Sequence, residues 1–114
     1  MKENKEYNRY NECLEKNIQK AILDYLAYRR DVYWFRSGSG AIKTEDGRYF
    51  KTGKRGCPDI TVLFDGRYIG IEVKGLKGKQ KPEQKEAEQQ IKRCGGEYYI
   101  VRSVDEVVNI LKKL

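Results

Sequence analysis

The apolar residues in the first part of the chain recur at helical spacing. A helix is predicted from about Asn11, which can serve as its N-cap, to Arg29. Its apolar stripe consists of Leu14, Ile18, Ala21, Ile22, Tyr25 and Leu26. At about 100° per residue, Glu15 falls in the middle of this stripe and is expected to point toward the core. Burying a carboxylate is costly unless it is paired or bound to a metal, so Glu15 is a candidate site residue. The alternative is a glutamate at the helix edge that reaches solvent or a lysine.

The pattern then changes to the period of two that is typical of β-strands. Strands are predicted at residues 32–36 and 48–52, with a flexible turn at residues 37–40. A hairpin from Asp59 to Lys74 follows, and its Asp65-Gly66 dipeptide favours a two-residue loop because both positions need a positive φ. One face of this hairpin is expected to form core, and it carries Ile60, Val62, Phe64, Ile69, Ile71 and Val73.

The register of the hairpin determines what meets on its other face. A two-residue loop places Asp59 directly opposite Glu72, with Cβ atoms about 4.5–5.5 Å apart. Two like charges held so close repel each other, so we expect a cation between them. Lys74 lies two residues beyond Glu72 and therefore shares its face. Gly70 in mid-strand leaves space there, either for a ligand or backbone or for a packed helix.

The next segment predicts a second helix. Pro82 fits the first position of a helix that runs to Arg93 and stops at Gly95-Gly96. Its inward face reads Gln84, Ala87, Ile91 and Cys94. Gln84 is thus another polar residue on an apolar stripe, unless its side chain only bonds the free backbone groups of the first helical turn.

The C-terminal segment predicts a strand at residues 98–102 and a last helix at residues 104–113. Ser103 and Glu106 have the spacing of a capping box at the start of this helix. Its apolar residues, with Leu114 just beyond it, are expected in the core or at an interface: Val107, Val108, Ile110 and Leu111.

These elements predict an α/β fold. We expect a central mixed sheet of about four or five strands flanked by helices, in the order αβββαβα, with the hairpin near the centre of the sheet. The chain has 114 residues, which fits a single domain spanning residues 1–114.

Charge narrows the class of partner. The formal net charge of the chain is +7, which indicates that its binding partner is a polyanion. Basic residues are concentrated in residues 36–56 and 74–81, on both sides of the hairpin, although lysine-rich loops can also be merely solvated. The sequence contains no histidine, which excludes catalysis by a histidine base and histidine-ligated zinc. The groups that remain available to catalyse hydrolysis are carboxylates, lysine and a hard cation.

Cysteine content and hydropathy suggest the compartment. Cys13, Cys57 and Cys94 are odd in number and lack C-x-x-C spacing, which argues against a disulfide framework or a zinc knuckle. The polar N-terminus and the short apolar runs predict neither a signal peptide nor a membrane span. We therefore expect a cytoplasmic protein with reduced cysteine thiols that does not bind membranes.

The order of the acidic residues resembles the PD-(D/E)xK nuclease superfamily: Glu15 on a helix, Pro58-Asp59 on one strand and Glu72-Val73-Lys74 on its neighbour. From about Glu12 to the C-terminus the chain is similar to the VRR-NUC family within it. The motifs that carry this similarity are Arg36-Ser37-Gly38, Gly56-Cys57-Pro58-Asp59-Ile60, Ile71-Glu72-Val73-Lys74, the loop 75–81, Pro82-Glu83-Gln84 and Gly95-Gly96-Glu97-Tyr98.

The resemblance implies a restriction-endonuclease-like core and a metal-dependent DNA endonuclease. Stand-alone members of this family occur in phages and bacteria, act as dimers and are associated with branched DNA such as four-way (Holliday) junctions. The implied location is the cytoplasm, or that of the host cell if a phage encodes the protein.

The resemblance also implies the roles of individual residues. Mg²⁺ or Mn²⁺ would be held by Asp59, Glu72 and the main-chain carbonyl of Val73, with Glu15 acting through water or on a second ion. Lys74 would orient the attacking water and contact the phosphate, and Gln84 would support Lys74 or that water. The candidates for DNA contacts are Arg36, Ser37, Lys54, Arg55, Lys77, Lys79 and Lys81.

Two other functions compete with this one. In the first, the chain is a non-catalytic basic domain that binds nucleic acid, and Asp59 and Glu72 only cap helices or pair with lysines. In the second, a surface rich in tyrosine, of which the chain has nine, binds another protein. Neither explains why three acidic residues and a lysine converge, so the nuclease is the favoured prediction.

Overall fold

The computed structural model describes residues 5–38 and 40–112. The predicted turn residue Ser39, the last predicted helix residue Lys113 and the apolar residue Leu114 just beyond it lie outside the described residues. In chain order the elements are α1 (Lys5–Tyr28), β1 (Val32–Arg36), β2 (Gly40–Lys43), β3 (Tyr49–Thr52), β4 (Ile60–Phe64), β5 (Arg67–Val73), α2 (Pro82–Arg93), β6 (Glu97–Val101) and α3 (Val104–Lys112).

The central sheet contains four strands in the order β1-β4-β5-β6. β1, β4 and β5 pair antiparallel, whereas β5 and β6 pair parallel through the connection that contains α2. The predicted α/β fold with a mixed sheet and a central hairpin is thus confirmed. Five strands precede α2, rather than the three of the predicted order αβββαβα, and three of them, β1, β4 and β5, belong to the central sheet.

β2 and β3 form a separate two-stranded ribbon, which the sequence did not predict. The strand predicted at residues 48–52 is confirmed as β3, whereas residues 40–43 are predicted only as the end of a turn and the residues after it. Instead Gly40 pairs with Thr52 and Lys43 pairs with Tyr49. The ribbon closes where the Thr44 N–H donates to the Arg48 carbonyl at 2.8 Å. Strand pairing therefore overrode the flexible composition of this segment.

α1 begins at Lys5, six residues before the predicted N-cap Asn11. The prediction was wrong because it followed the apolar stripe, and the first two turns of the helix are polar. Ile22 and Leu26 are fully buried, but Ala21 is exposed, so the arc that faces the core is narrower than predicted.

One face of the sheet packs on α1 and α3 and forms the main core. As predicted, this face carries the alternate apolar residues of the hairpin. Side chains of both helices close over them, and the buried cluster consists of Ile22, Leu26, Ile60, Val62, Phe64, Ile69, Ile71, Val73, Val101, Val107 and Leu111. Burying apolar side chains of this size contributes about 1.5–3 kcal/mol each before the entropy cost of ordering them.

The hairpin has the predicted loop. Asp65 and Gly66 have φ values of +52° and +74°, as a type I′ turn requires, and Phe64 pairs with Arg67. The space over Gly70 is taken by the ring of Pro58, because a Cβ at Gly70 would lie 2.6 Å from Pro58 Cγ. Of the predicted alternatives, which were a backbone or ligand and a packed helix, the structure has a close approach of the chain itself, through Pro58 and the Glu97 carbonyl oxygen at 3.6 Å from the same Cβ.

α2 covers the other face of the sheet without burying any of its own side chains. Cys94, predicted on its inward face, is exposed, and Ala87 and Ile91 are only half-buried. The polar residues Gln84 and Glu88 make hydrogen bonds beneath the helix instead, to Glu72 and Gln80. This layer therefore brings polar groups, rather than a second apolar core, over the candidate site.

β6 and α3 meet at a variant of the predicted capping box. The Ser103 hydroxyl accepts from the Glu106 N–H at 3.4 Å, as predicted, but the Glu106 carboxylate accepts from the Arg102 N–H at 2.6 Å rather than from Ser103. β6 accordingly ends at Val101, one residue earlier than predicted. In the part of the chain that the structure describes, no helix combines the length and the apolar character needed to cross a membrane.

Candidate active site

Asp59 and Glu72 lie side by side at one end of the central hairpin. Ile60 pairs with Ile71, so the next residue of each arm continues the predicted register. Asp59 is turned toward the end of β5, where its Oδ2 accepts from the Val73 N–H at 2.8 Å. Its own carbonyl accepts from the N–H groups of Ser37 and Gly38 at 2.9 and 3.2 Å. These bonds fix the aspartate at the edge of the sheet.

The Glu72 side chain is buried, with 2% of the residue exposed. Its Oε1 accepts from Gln84 Nε2 at 2.9 Å, but its Oε2 has no hydrogen-bond donor among the described residues. Burial, and next the negative charge of Asp59, raise the pKa of Glu72 to about 8, and the opposing effect of Lys74 is weaker. The site thus contains a buried carboxylate that its surroundings do not satisfy.

Lys74 brings a positive charge to the same face. It is 6% exposed, and its Nζ lies 3.7 Å from Glu72 Oε1, which is an ion pair but too long for a good hydrogen bond. Its backbone N–H continues the ladder to β6 by donating to the Val101 carbonyl at 3.0 Å. The predicted grouping of Asp59, Glu72 and Lys74 on one face is what the structure has.

Gln84 fills both of the roles that its sequence position allowed. Its Oε1 accepts from the Lys81 N–H at 2.8 Å and so satisfies the start of α2. Its Nε2 donates to Glu72. The helix terminus and the buried carboxylate are therefore coupled through one amide side chain.

Glu15 and Val73 border the site from the side of α1. Both line a cavity of about 240 Å³ whose wall also includes Asp59. The N–H groups of Val73 and Lys74 point to opposite sides of β5, so the Val73 carbonyl, on the same side as its own N–H, faces the Asp59 side. Glu15 Oε1 accepts from the Gly75 N–H at 3.1 Å. Within residues 5–38 and 40–112, however, no three acidic or cysteine side chains form a cluster, so the structure does not bring Glu15 together with Asp59 and Glu72 as one ligand set.

This donor set fits a hard divalent cation. Two neighbouring carboxylates and a carbonyl oxygen are the ligands that Mg²⁺ and Mn²⁺ prefer. Glu72 Oε2 is buried near the Asp59 carboxylate and accepts no hydrogen bond from the described residues. A bound cation, or a proton shared with Asp59, would stabilise this oxygen.

The predicted DNA contacts are spread around the site. Ser37 does not present its hydroxyl to solvent: it donates to the Pro58 carbonyl and accepts from Thr61, both at 2.8 Å. Arg36 is exposed beside Lys16 and Lys20 of α1, near the opposite face of the sheet from α2. The structure thus makes Ser37 a support for the Pro58-Asp59 turn and leaves Arg36 as a surface charge.

The remaining basic candidates surround the start of α2. Lys54 and Arg55 are exposed on one side, and Lys54 Nζ donates to Gln90 Oε1 of the helix at 3.1 Å. The side chains of Lys77, Lys79 and Lys81 are exposed on the loop that leads into the helix. Both groups therefore lie near α2, the helix whose Gln84 contacts the buried carboxylate.

Several residues that shape the site were not predicted as site residues. Thr61 Oγ1 holds Ser37, and Arg102 reaches back to the loop after Lys74. Tyr98 lies under α2, and burial, as the main cause, raises its pKa to about 12. Alternation along β4 and β6 could have placed Thr61 and Tyr98 on the site face, but no local pattern indicates where the long Arg102 side chain extends.

Comparison with known proteins gives the fold a family context. No protein-family model and no curated protein matches this sequence. A solved structure described as a "VRR_NUC domain" is similar to this chain, with a TM-score of 0.62 and 20% sequence identity over 88% of this chain and 96% of that one. The fold is therefore that of a VRR_NUC domain, and the resemblance drawn from the motifs is confirmed at this level.

Proposed function

We propose that this chain is a VRR-NUC nuclease that hydrolyses phosphodiester bonds of DNA with the help of Mg²⁺ or Mn²⁺. The observation that carries the proposal is the buried Glu72 carboxylate next to Asp59 and Lys74. One of its oxygens accepts no hydrogen bond from the described residues. A purely structural carboxylate at this depth would be expected to have all its acceptors bonded. The fold of a VRR_NUC domain supports the same function.

Asp59, Glu72 and the Val73 carbonyl would hold the cation. A divalent ion supplies Lewis-acid activation of water and neutralises charge that develops on the phosphate. Glu15 would contribute from the α1 side of the cavity, through water or toward a second ion.

The chain's own groups complete the chemistry. Lys74 places an ammonium at the buried end of the site, where it can donate to a phosphate oxygen and stabilise the extra negative charge of the transition state. It also orients the attacking water, since an ammonium offers three donors. Gln84 holds the Glu72 carboxylate in place from α2 and so supports the geometry on which Lys74 depends.

A cleavage assay tests this function. Circular single-stranded, duplex and four-way-junction DNA are incubated with Mg²⁺, Mn²⁺ or EDTA and with wild type or Lys74→Ala. We expect cleavage that needs a metal and falls by at least about 100-fold in the variant, in line with the loss of one preorganised electrostatic donor. Lys20→Ala is the matched control, since Lys20 is exposed on α1 and forms a surface ion pair with Asp24. Cleavage in EDTA, or full activity of Lys74→Ala, would refute the proposal in favour of a non-catalytic binding domain.

The exposed lysines of the loop before α2 are proposed to bind the DNA backbone. Lys79→Ala should weaken duplex binding and lower the slope of log K against log salt by about 0.9, which is the value for one lost phosphate contact. Turnover at saturating DNA should change little. A variant with an unchanged salt slope would remove Lys79 from the interface.

We further propose that the enzyme is a cytoplasmic homodimer that prefers branched DNA. An exposed apolar strip on the edge of the sheet, formed by Tyr33, Phe35 and Leu63, supports a partner subunit. Because Tyr33 pairs with Leu63 across β1 and β4, these side chains lie on one face. A monomeric mass by light scattering at micromolar protein, with and without junction DNA, would refute the dimer, and equal cleavage of all three DNA forms would refute the preference.

A further inference from the structure

The loop from Gly75 to Lys81 is held in place by contacts from distant parts of the chain. The Arg102 guanidinium donates from Nη2 to the Gly78 carbonyl at 2.9 Å and from Nη1 to the Gly75 carbonyl. From the other side, Glu15 Oε1 accepts from the Gly75 N–H at 3.1 Å. One guanidinium therefore spans the first half of the loop, and a carboxylate of α1 anchors its start.

The held loop rests on the side chain of Lys74. A Cβ at Gly78 would lie 3.3 Å from both Cβ and Cδ of Lys74 and 3.0 Å from Glu15 Oε1. The Gly78 backbone thus covers the aliphatic stem of Lys74, which is consistent with the 6% exposure of that residue. These distances are shorter than ordinary van der Waals contacts, so a side chain at this position would move its neighbours by a few tenths of an ångström.

Arg102 is itself fixed before it reaches the loop. Its N–H donates to the Glu106 carboxylate in the first turn of α3. The preceding residue, Val101, accepts from the Lys74 N–H. The start of α3 and the β5–β6 ladder therefore set the position from which the guanidinium extends, and a lysine at this position could not make the two-carbonyl bridge with the same planar geometry.

We propose that Arg102 is a positioning residue that acts through Gly75 and Gly78 to keep the Lys74 ammonium directed at the buried end of the site. This inference rests on the proposed function, in which Lys74 acts on the phosphate. A different role for Arg102, as a phosphate contact on the DNA surface, makes the opposite prediction. Loss of a phosphate contact weakens DNA binding, whereas loss of the clamp lowers turnover.

The first experiment measures the loop without reference to activity. Hydrogen exchange of residues 75–81 is compared in wild type, Arg102→Lys and Arg102→Met, without metal or DNA. We expect exchange at least about tenfold faster in both variants, because the loop then opens without global unfolding. Arg93→Met is the matched control, since it removes an exposed arginine from the last turn of α2 and should leave the loop unchanged. Unchanged exchange in both Arg102 variants would overturn the clamp.

The second experiment separates positioning from binding. We expect kcat to fall about tenfold in Arg102→Lys and Arg102→Met while the Kd for DNA stays within about twofold, since only transition-state stabilisation is lost. Gly78→Ala, which leaves Arg102 intact but shifts the contact between the loop and Lys74 by a few tenths of an ångström, should lower kcat in the same direction. A weaker Kd with an unchanged kcat would overturn the positioning role. If wild type cleaves no DNA, the proposed function fails, while the exchange result still decides whether the clamp exists.

Discussion

Replacing Glu72 by glutamine tests whether the site is built for a cation. In the metal-free protein, burial and the neighbouring Asp59 raise the pKa of Glu72 to about 8 from an ordinary value of 4.5. A group whose pKa is raised by folding favours the protonated form. Its contribution to stability is therefore complete below the ordinary pKa and is lost as the pH rises toward the pKa in the folded protein. Glu72→Gln keeps the shape of the protonated acid and cannot ionise.

The size of the effect follows from the two pKa values. One pKa unit corresponds to about 1.4 kcal/mol, so the ceiling on the stability that Glu72 loses by pH 8 is about 5 kcal/mol. Relaxation and water penetration reduce such penalties, and Lys74 loses its counter-charge in the variant. We expect Glu72→Gln to gain about 1–3 kcal/mol over wild type between pH 5 and pH 8. Its new amide can donate toward Asp59 where the carboxylate could not.

Urea unfolding in EDTA at several values of pH measures this difference in the free energy of unfolding between Glu72→Gln and wild type. Glu88→Gln is the matched control on the same layer. Lys92, followed by Gln80, lowers the pKa of Glu88, so the difference in stability between this variant and wild type should change only below about pH 4.5 and stay constant between pH 5 and pH 8. Adding Mg²⁺ should stabilise wild type by about 2.7 kcal/mol at 100 times its Kd and leave Glu72→Gln unaffected. A gap that does not change with pH, or a wild type that is more stable than Glu72→Gln at pH 8 in EDTA, would refute the reasoning.

Two further predictions concern the scaffold. Gly56→Ala should destabilise the protein by at least about 2 kcal/mol in thermal unfolding, since φ is +79° and the new Cβ would lie 2.2 Å from the Glu83 carbonyl oxygen. Gly66→Ala, at a positive φ in open space, should cost only about 1 kcal/mol. Equal losses of stability in the two variants would refute the steric argument. Arg67 donates to both oxygens of Glu97 at 2.6 Å and lowers its pKa to about 2, so Glu97→Gln should cost about 1–2 kcal/mol at pH 7 once solvent screening is discounted. Because the folded-state pKa is lowered, this loss should shrink as pH falls from about 4.5 to 2 in melts at several values of pH, and a constant difference would contradict it.

Features that depend on neighbouring residues could be predicted from the sequence. The dipeptide Asp65-Gly66 determines its own turn type, and the turn then determines the register of both arms. This is why the opposition of Asp59 and Glu72 could be predicted from residue numbers alone. Pro82 likewise marks the start of α2 correctly.

Features that depend on distant residues could not be predicted. The helical period placed Glu15 toward the interior, but its partner, the Gly75 N–H, is 60 residues away and only the packing of α1 against β5 defines it. The β2–β3 ribbon depends on pairing between segments that lack strong alternation. The Arg102 contacts run 27 and 24 residues back along the chain, and a flexible side chain leaves no periodic signal.

The contacts around the site show which of its groups have hydrogen-bond partners within the protein. Asp59 is held by the Val73 N–H, Glu72 by Gln84, and the loop over Lys74 by Glu15 and Arg102, so the protein itself orders each group. Among the described atoms the acidic pair keeps one unsatisfied oxygen, Glu72 Oε2. A site that is ordered in this way does not need to reorganise when a ligand binds, and the proposed cation would replace the proton that the raised pKa of Glu72 otherwise retains there. A divalent cation should therefore bind far more tightly than a monovalent one of similar size, and it should recover the stability that the acidic pair costs the metal-free protein.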